Sequence, residues 1–498
     1  MDPDLPPTLT WESPPADLVR VEDPDYPGAL ARTDRYSLLS APPVVGVPWQ
    51  WETMAVPDGW PGDAGLSVTN ADLWHARGWR GQGVKVAMFD LQWYGAELDP
   101  GVLGDVTTAD CWSHPSCELP MDLTVARNGY ESGIHGFACA DVVRDIAPDV
   151  DLYLVRVSGY STFASAVDWA IRHDIQVVSL SMSFFNESFY DGTGPFERLV
   201  AKMAAHHILL VASSGNYQKQ HWSGPYVDAD QDGRLDFDGS NRLPVQFGAG
   251  RKGMYINWDE HWSCGGSDLD ARIVGADGTI YGDATVRQSK TADSCSPVEH
   301  LGAEIPTDGT YYLEILGMRV QGTNLEVDVF TTSGSIPGGV KEDSLTDPGS
   351  SPLAFTVAAV RASNYLTNDV EGFSSWGPGR ADTPKPDIAG PDGLSTEAYG
   401  GGAFFGTSAS TPAVAATVAL VLSRYPDLTP QEAATKLQGW AWNPENIPDD
   451  PRWGAGKVRL PDPDAEAPTG CGSSQGWMGL ILPSLGWFRR RARKAPTV

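Results

Sequence analysis

FFGTSASTPAVAATVALVLSRYP, Phe404 to Pro426, joins two textures that seldom share one helix. From Thr411 onward the Ala, Val and Leu positions suit a helix buried all round. Its head, Gly406-Thr407-Ser408-Ala409-Ser410-Thr411, is small, and four of its residues carry hydroxyls. A helix N-terminus needs one such residue as a cap, because Ser and Thr oxygens accept from the free N–H groups there. The surplus has a second reading, a nucleophile placed where the helix dipole and unpaired amides favour developing negative charge. The rest of the chain has to choose between the two.

Around this helix the chain alternates short apolar strands with helices. VKVAMF (Val84–Phe89) reads as a buried strand closed by Asp90, and VDLYLVRV (Val150–Val157) as a second. FASAVDWAIRH reads as a helix, followed by the strand IQVVSLSMS from Ile175, a helix near Phe196–His206 and the strand ILLVASSGN. Continuous apolar strands separated by helices imply a parallel sheet covered on both faces. The alternation stops after Asn216. From Tyr217 to about Ser350 only strand-like stretches appear, among them GMYINWDE, GTYYLEILGM and LEVDVFTT, with Gly and Asp turns between them. That segment reads as a β-sandwich inserted into the α/β unit. The α/β texture resumes at PLAFTVAAV (Pro352–Val360). The expected organisation is an extended Pro- and Asp-rich arm over 1–46, the α/β unit over 47–216 and 351–460, the sandwich over 217–350, and a linker with an apolar and basic tail over 461–498.

Bulk properties narrow the function. The 498 residues carry a net charge of −29, which argues against nucleic acid or an anionic membrane face as partner and suits a collector of divalent cations. Six cysteines include no C-x-x-C pair, so a zinc knuckle is not expected. Cys111 with Cys117, and Cys264 with Cys295, are close enough in sequence for two local disulfides, which would fit an oxidising compartment. Cys139 falls in an apolar helix pattern and reads as a buried thiol. The opening MDPDLPPTLTWE has neither a basic nor an apolar region of a signal peptide.

Three residues are placed to activate Ser408. His135 lies between Gly133 and Gly136, just ahead of an amphipathic helix. Asp90 closes a buried strand, and in open parallel sheets ligand sites lie beyond the carboxyl ends of strands. A carboxylate there can orient a histidine, or it can cap the next loop. Asn216 also ends a buried strand, where its amide can donate to an oxyanion or sit in a turn beside Gly215. Each signal alone is weak; their chain order, Asp90, His135, Asn216, Ser408, is not.

On these residues the sequence resembles the subtilisin-like serine peptidases. The resemblance covers Pro48–Asn216 and Pro352–Val458 in six ordered blocks: GQGVKVAMFD, HGFACA, VVSLSMS, VASSGN, FSSWGPGRADTPKPDIAGP and GTSASTP. It implies a doubly wound α/β fold and a peptidase that needs no cofactor for its chemistry. It makes Ser408 the nucleophile, His135 the general base, Asp90 its orienting acid and Asn216 an oxyanion donor. It further implies that Ser181, Met182 and Ser183, with Ser213, Ser214 and Gly215, bind the substrate. Four positions depart from the family's habit: Leu91 and Gln92 follow the acid where Thr-Gly is usual, and Ala138 replaces a second His. Ala409 stands for a Met, and Ser183 for a Gly. They bear on substrate preference and rate. A surface-displayed binding protein on a weakly active peptidase scaffold is the other reading that these departures leave open.

Two further features stand apart. DADQDGRLDFDG places Asp228, Asp230, Asp232 and Asp236 at alternating positions of a calcium loop, with Gly233 at the turn and the Arg234 carbonyl as a further ligand. Oxygen ligands favour calcium over zinc, but the usual last Glu falls at Gly239. The other reading is an acidic turn. The tail carries CGSSQG, the apolar WMGLILPSLGWF and the basic RRRARK. It resembles the cleaved C-terminal sorting tags of bacterial surface proteins, with Cys471 retained and lipidated; an interfacial amphipathic tail is the alternative. Together these features lead one to expect a secreted or surface-bound monomer acting on peptides or proteins.

Overall fold

The computed structural model describes residues 64–96, 100–121, 123, 133–260, 266–288, 296–322, 325–380, 383–400 and 402–464. The N-terminal arm, Cys264 and Cys295, and the tail from 465 onward lie outside the described residues.

The α/β unit contributes seven strands: β1 (Lys85–Asp90), β2 (Val106–Asp110), β3 (Asp151–Arg156), β4 (Val177–Leu180), β5 (Leu209–Ser213), β14 (Phe355–Arg361) and β15 (Ile388–Asp392). Strands β6 to β13 between them belong to the insertion. The seven pair in the order β15-β14-β5-β4-β1-β3-β2, parallel throughout. Successive side chains of a strand point to opposite faces, and the packing follows that rule. Val86 and Met88 enter one core, Ala87 and Phe89 the other. Leu209 and Val211 likewise part from Leu210 and Ala212. Both faces are therefore covered, which is why these strands read as unbroken apolar runs.

Helices α1 (His135–Ile146) and α4 (Thr407–Arg424) cover the first face, with α5 (Pro430–Trp440) against α4. Helices α2 (Tyr160–Arg172) and α3 (Pro195–Ala205) cover the second. Helix α4 is buried from Thr407 to Leu422. It packs close to β15 because Gly390 carries no side chain; a Cβ there would meet the Ser410 carbonyl at 2.6 Å.

The inserted segment is all β, as expected. Its strands are β6 (His221–Pro225), β7 (Leu243–Phe247), β8 (Gly250–Trp258), β9 (Asp268–Val274), β10 (Ile280–Ala284), β11 (Val298–Ile305), β12 (Gly309–Arg319) and β13 (Glu326–Thr331). They form two four-stranded antiparallel sheets, β10-β9-β12-β7 and β11-β8-β13-β6. Alternate residues such as Ile256, Trp258, Leu313, Ile315, Val327 and Val329 fill the space between the sheets.

The sandwich joins the α/β unit through an aromatic cluster of Phe185, Tyr190, Tyr217, Tyr255 and Phe330. Beside it the buried Asp328 accepts from His221 Nε2 at 2.9 Å and pairs with Arg380 of the α/β unit at 2.5 Å. Cys111 and Cys117 are joined as a disulfide after β2, and Cys139 is a free, buried thiol.

Candidate active site

The carboxyl edge of the parallel sheet gathers the four residues whose chain order drew attention. Asp90 is the last residue of β1 and is buried. Its Oδ2 accepts from His135 Nδ1 at 2.6 Å, and its Oδ1 accepts the backbone N–H groups of Leu91 and Gln92 at 2.8 and 2.9 Å. Backbone amides, which residues of any side chain would supply, thus hold this oxygen of the acid. Helix α1 begins at His135, and the Gly136 N–H donates to the Gln92 carbonyl at 2.8 Å. A Cβ on Gly136 would stand 2.9 Å from Asp90 Cβ, so glycine is what lets the helix start against the acid.

Burial, the largest single influence, lowers the proton affinity of His135, but Asp90 together with Cys139 more than offsets it, and the pKa lies well above 6.5. The imidazole meets the Phe404 ring edge to face at 5.6 Å. Its Nε2 is buried and makes no hydrogen bond to a described residue, the Ser408 hydroxyl included.

Ser408 is the second residue of α4. One sulfur ties it to the imidazole: Cys139 Sγ lies 4.0 Å from His135 Nδ1 and 3.5 Å from the Ser408 carbonyl. Burial pushes the Cys139 pKa up, so the group is a thiol and a donor. Ser181 Oγ donates to the same carbonyl at 3.0 Å. That oxygen needs side-chain donors for a covalent reason. Its helical partner four residues on is Pro412, which has no N–H.

Asn216 is oriented by unambiguous donors. Its Oδ1 accepts from both the N–H and the hydroxyl of Thr407, each at 3.0 Å. The amide nitrogen is thus turned the other way. A Cβ built on Gly406 would lie 3.3 Å from Asn216 Nδ2 and 3.6 Å from both Asn216 Oδ1 and the Ser408 N–H nitrogen. Two donors therefore flank one small space, and Gly406, at φ 106°, keeps it clear. The Gly406 N–H is held at 3.1 Å by the buried Asp392 carboxyl, whose pKa burial and Glu371 push up to about 8.

The six residues expected to line a substrate path, Ser181, Met182 and Ser183 with Ser213, Ser214 and Gly215, follow β4 and end β5 at this same edge. The first five have buried side chains. Thr346 donates to Ser183 Oγ at 2.8 Å, and the Phe184 N–H donates to the Asp347 carbonyl at 3.0 Å.

The acidic loop is elsewhere, on the sandwich. Asp228, Asp230 and Asp232 bring ligand atoms within 4.8 Å of one another. Asp236 instead accepts the Ala229 N–H at 2.7 Å, and Arg234 points its guanidinium at Asp232, 3.8 Å away.

The roles missed in the sequence are those of Cys139 and Pro412 at the Ser408 carbonyl. Two signals were present. Cys139 follows His135 by four positions, hence on the same helix face, and Pro412 follows Ser408 by four, hence opposite its carbonyl.

A doubly wound parallel sheet bearing Asp, His and Ser on β1, α1 and α4 at its carboxyl edge defines an α/β protein with a hydroxyl site. Residues 124–253 and 321–477 match the model of the Subtilase family, and the chain belongs to that family. It is 28% identical over 203 residues to subtilisin BL of Lederbergia lenta, covering 37% of this chain and 68% of that protein. To subtilisin DY of Bacillus licheniformis it is 26% identical over 162 residues, 30% of this chain and 54% of the relative. The chain thus spans only about half the length of subtilisin DY. The solved structure of the Clostridium perfringens CspB protease superposes with a TM-score of 0.55 at 15% identity, over 80% of this chain and 96% of that one, which shows the shared fold.

Proposed function

We propose that the chain is a serine endopeptidase that works through Asp90, His135 and Ser408. The observation that carries this reading is the Asp90–His135 hydrogen bond of 2.6 Å, at an edge where Asn216 Nδ2 and the Ser408 amide flank one small space. Ser408 Oγ attacks a peptide carbonyl while His135 Nε2 takes its proton. Asp90 keeps the other ring proton on Nδ1 and stabilises the imidazolium. The oxyanion occupies the space between Asn216 and the Ser408 N–H. The imidazolium then protonates the leaving amine as the C–N bond breaks, and water releases the acyl group by the same steps in reverse.

The remainder of the reading has local support. The Cys111–Cys117 disulfide fits an oxidising, extracytoplasmic setting. The clustered Asp228, Asp230 and Asp232 suit a calcium ion that would brace the sandwich and take no part in the chemistry.

A fluorophosphonate probe tests the central claim. Labelling is expected on the peptide containing Ser408, and loss of labelling in Ser408→Ala and His135→Ala. A folded wild-type chain that takes no label and cleaves no unfolded protein substrate would refute it.

A further inference from the structure

Strands β4 and β5 are hydrogen-bonded neighbours as far as Leu180 and Ala212. Past that pair the chains run on as Ser181–Ser183 and Ser213–Gly215, with no further pairing between β4 and β5. Tyr217, the residue after Asn216, packs here. Burial pushes the Tyr217 hydroxyl pKa up to about 12, and the Ser183 side chain on one wall acts on that hydroxyl in the opposite sense. On the other wall its ring is so close to Gly215 that a Cβ there would meet Tyr217 Cδ2 at 2.8 Å.

Three restraints hold the ring in place. The Tyr217 N–H donates to Ser375 Oγ at 3.0 Å, while the Ser375 N–H donates to the Gly215 carbonyl at 2.9 Å. Phe185 and Phe330 both meet the ring edge to face, at 5.0 and 5.9 Å. Thr346, on the return leg of the insertion, donates to Ser183 Oγ at 2.8 Å and so fixes the side chain on that wall. Tyr217 is buried in this packing.

We infer that Tyr217 plugs the crevice beside the oxyanion space, so that the substrate residue supplying the attacked carbonyl must be glycine, alanine or serine. This rests on the peptidase reading above. A carbonyl seated between Asn216 and Ser408 directs the side chain of its own residue toward the walls that Tyr217 already bridges. A phenylalanine, leucine or lysine there would need the ring to leave three sets of contacts at once. The inserted sandwich, through Phe330 and Thr346, is thus a wall of the specificity site.

The test is a set of internally quenched peptides differing only in that residue, assayed with the full chain. Wild type is expected to cleave after Gly, Ala or Ser with kcat/KM at least about tenfold above Leu, Phe or Lys. Tyr217→Ala is expected to raise kcat/KM for the Leu and Phe peptides by about tenfold or more relative to the Ala peptide. Tyr217→Phe keeps the ring and is expected to keep the narrow preference. Wild-type cleavage after Phe or Leu as fast as after Ala would overturn the inference, whether or not a variant folds. So would a folded Tyr217→Ala with the wild-type profile. Both of those results come from a chain that takes the fluorophosphonate label and leave the peptidase reading standing, whereas failure to label at all removes both.

Discussion

The sheet edge and the acidic loop of the sandwich are both collections of polar side chains, yet they are built in opposite ways. At the edge Asp90, His135 and Ser408 are buried and Asn216 is partly so, and each group has a partner far away in sequence: Asp90 in His135, Asn216 in Thr407, the Ser408 carbonyl in Ser181. In the loop, Asp228, Asp230 and Asp232 mainly accept N–H groups of residues two to five positions on, and the loop faces solvent. Groups held by distant partners cannot rearrange without disturbing the core, so they are preorganised. Groups held by their own turn are free to exchange an N–H for an ion. Substitutions at the edge should therefore cost rate, and substitutions in the loop should cost stability.

The largest effect tests the first half of that contrast. Asp90→Asn leaves the neighbouring amides in place but no longer fixes the imidazole tautomer, and kcat is expected to fall by about 10⁴-fold with the fold retained. A mild loss would mean that the Asp90–His135 bond is not part of the chemistry. Asn216→Ala removes one of the two donors proposed for the oxyanion and should lower kcat by about 10²–10³-fold, with KM little changed.

The pH profile sharpens the same point. His135 must be neutral to accept a proton, and its pKa lies well above 6.5 because burial is more than offset by Asp90 and Cys139. kcat/KM should therefore climb with rising pH along a limb placed above 6.5. In Asp90→Asn the largest raising influence is gone while burial still lowers the pKa, and the limb should move to lower pH. The linked stability has the opposite sense. A raised folded-state pKa contributes stability that is complete below the unfolded value of about 6.5 and is lost as pH rises through the folded value.

The smallest effect belongs to the loop. Chelation, or Asp230→Asn, should lower the Tm by about 4 °C and leave the rate at 25 °C unaltered. An unmoved Tm would dispose of a structural ion, and a lost rate would abolish the contrast itself.

Much of the edge could be read in the sequence because its backbone follows periodic rules. Apolar runs closed by Asp90 and by the Asn216 turn, and a buried helix headed by Ser408, mark strand ends and a helix start. Tertiary exchange of partners is not periodic. That Oδ1 of Asn216 goes to Thr407, that Cys139 lies between His135 and Ser408, and that Tyr217 turns back onto Ser183 are consequences of which elements become neighbours. The aromatic cluster illustrates the same limit. Phe185, Tyr217, Tyr255 and Phe330 look like ordinary strand residues until the insertion is docked.

The insertion's point of attachment carries a consequence for how the chain reaches this state. It leaves just after β5 and returns at β14, and these two strands are hydrogen-bonded neighbours, Val211 opposite Phe355. Closing the central sheet thus requires the ends of a very long excursion to meet, an entropic cost that a floppy excursion pays in full. If the sandwich has already condensed, its ends are held close and the final pairing becomes a short-range event. The order of assembly expected from the topology is therefore peripheral module first and parallel sheet last.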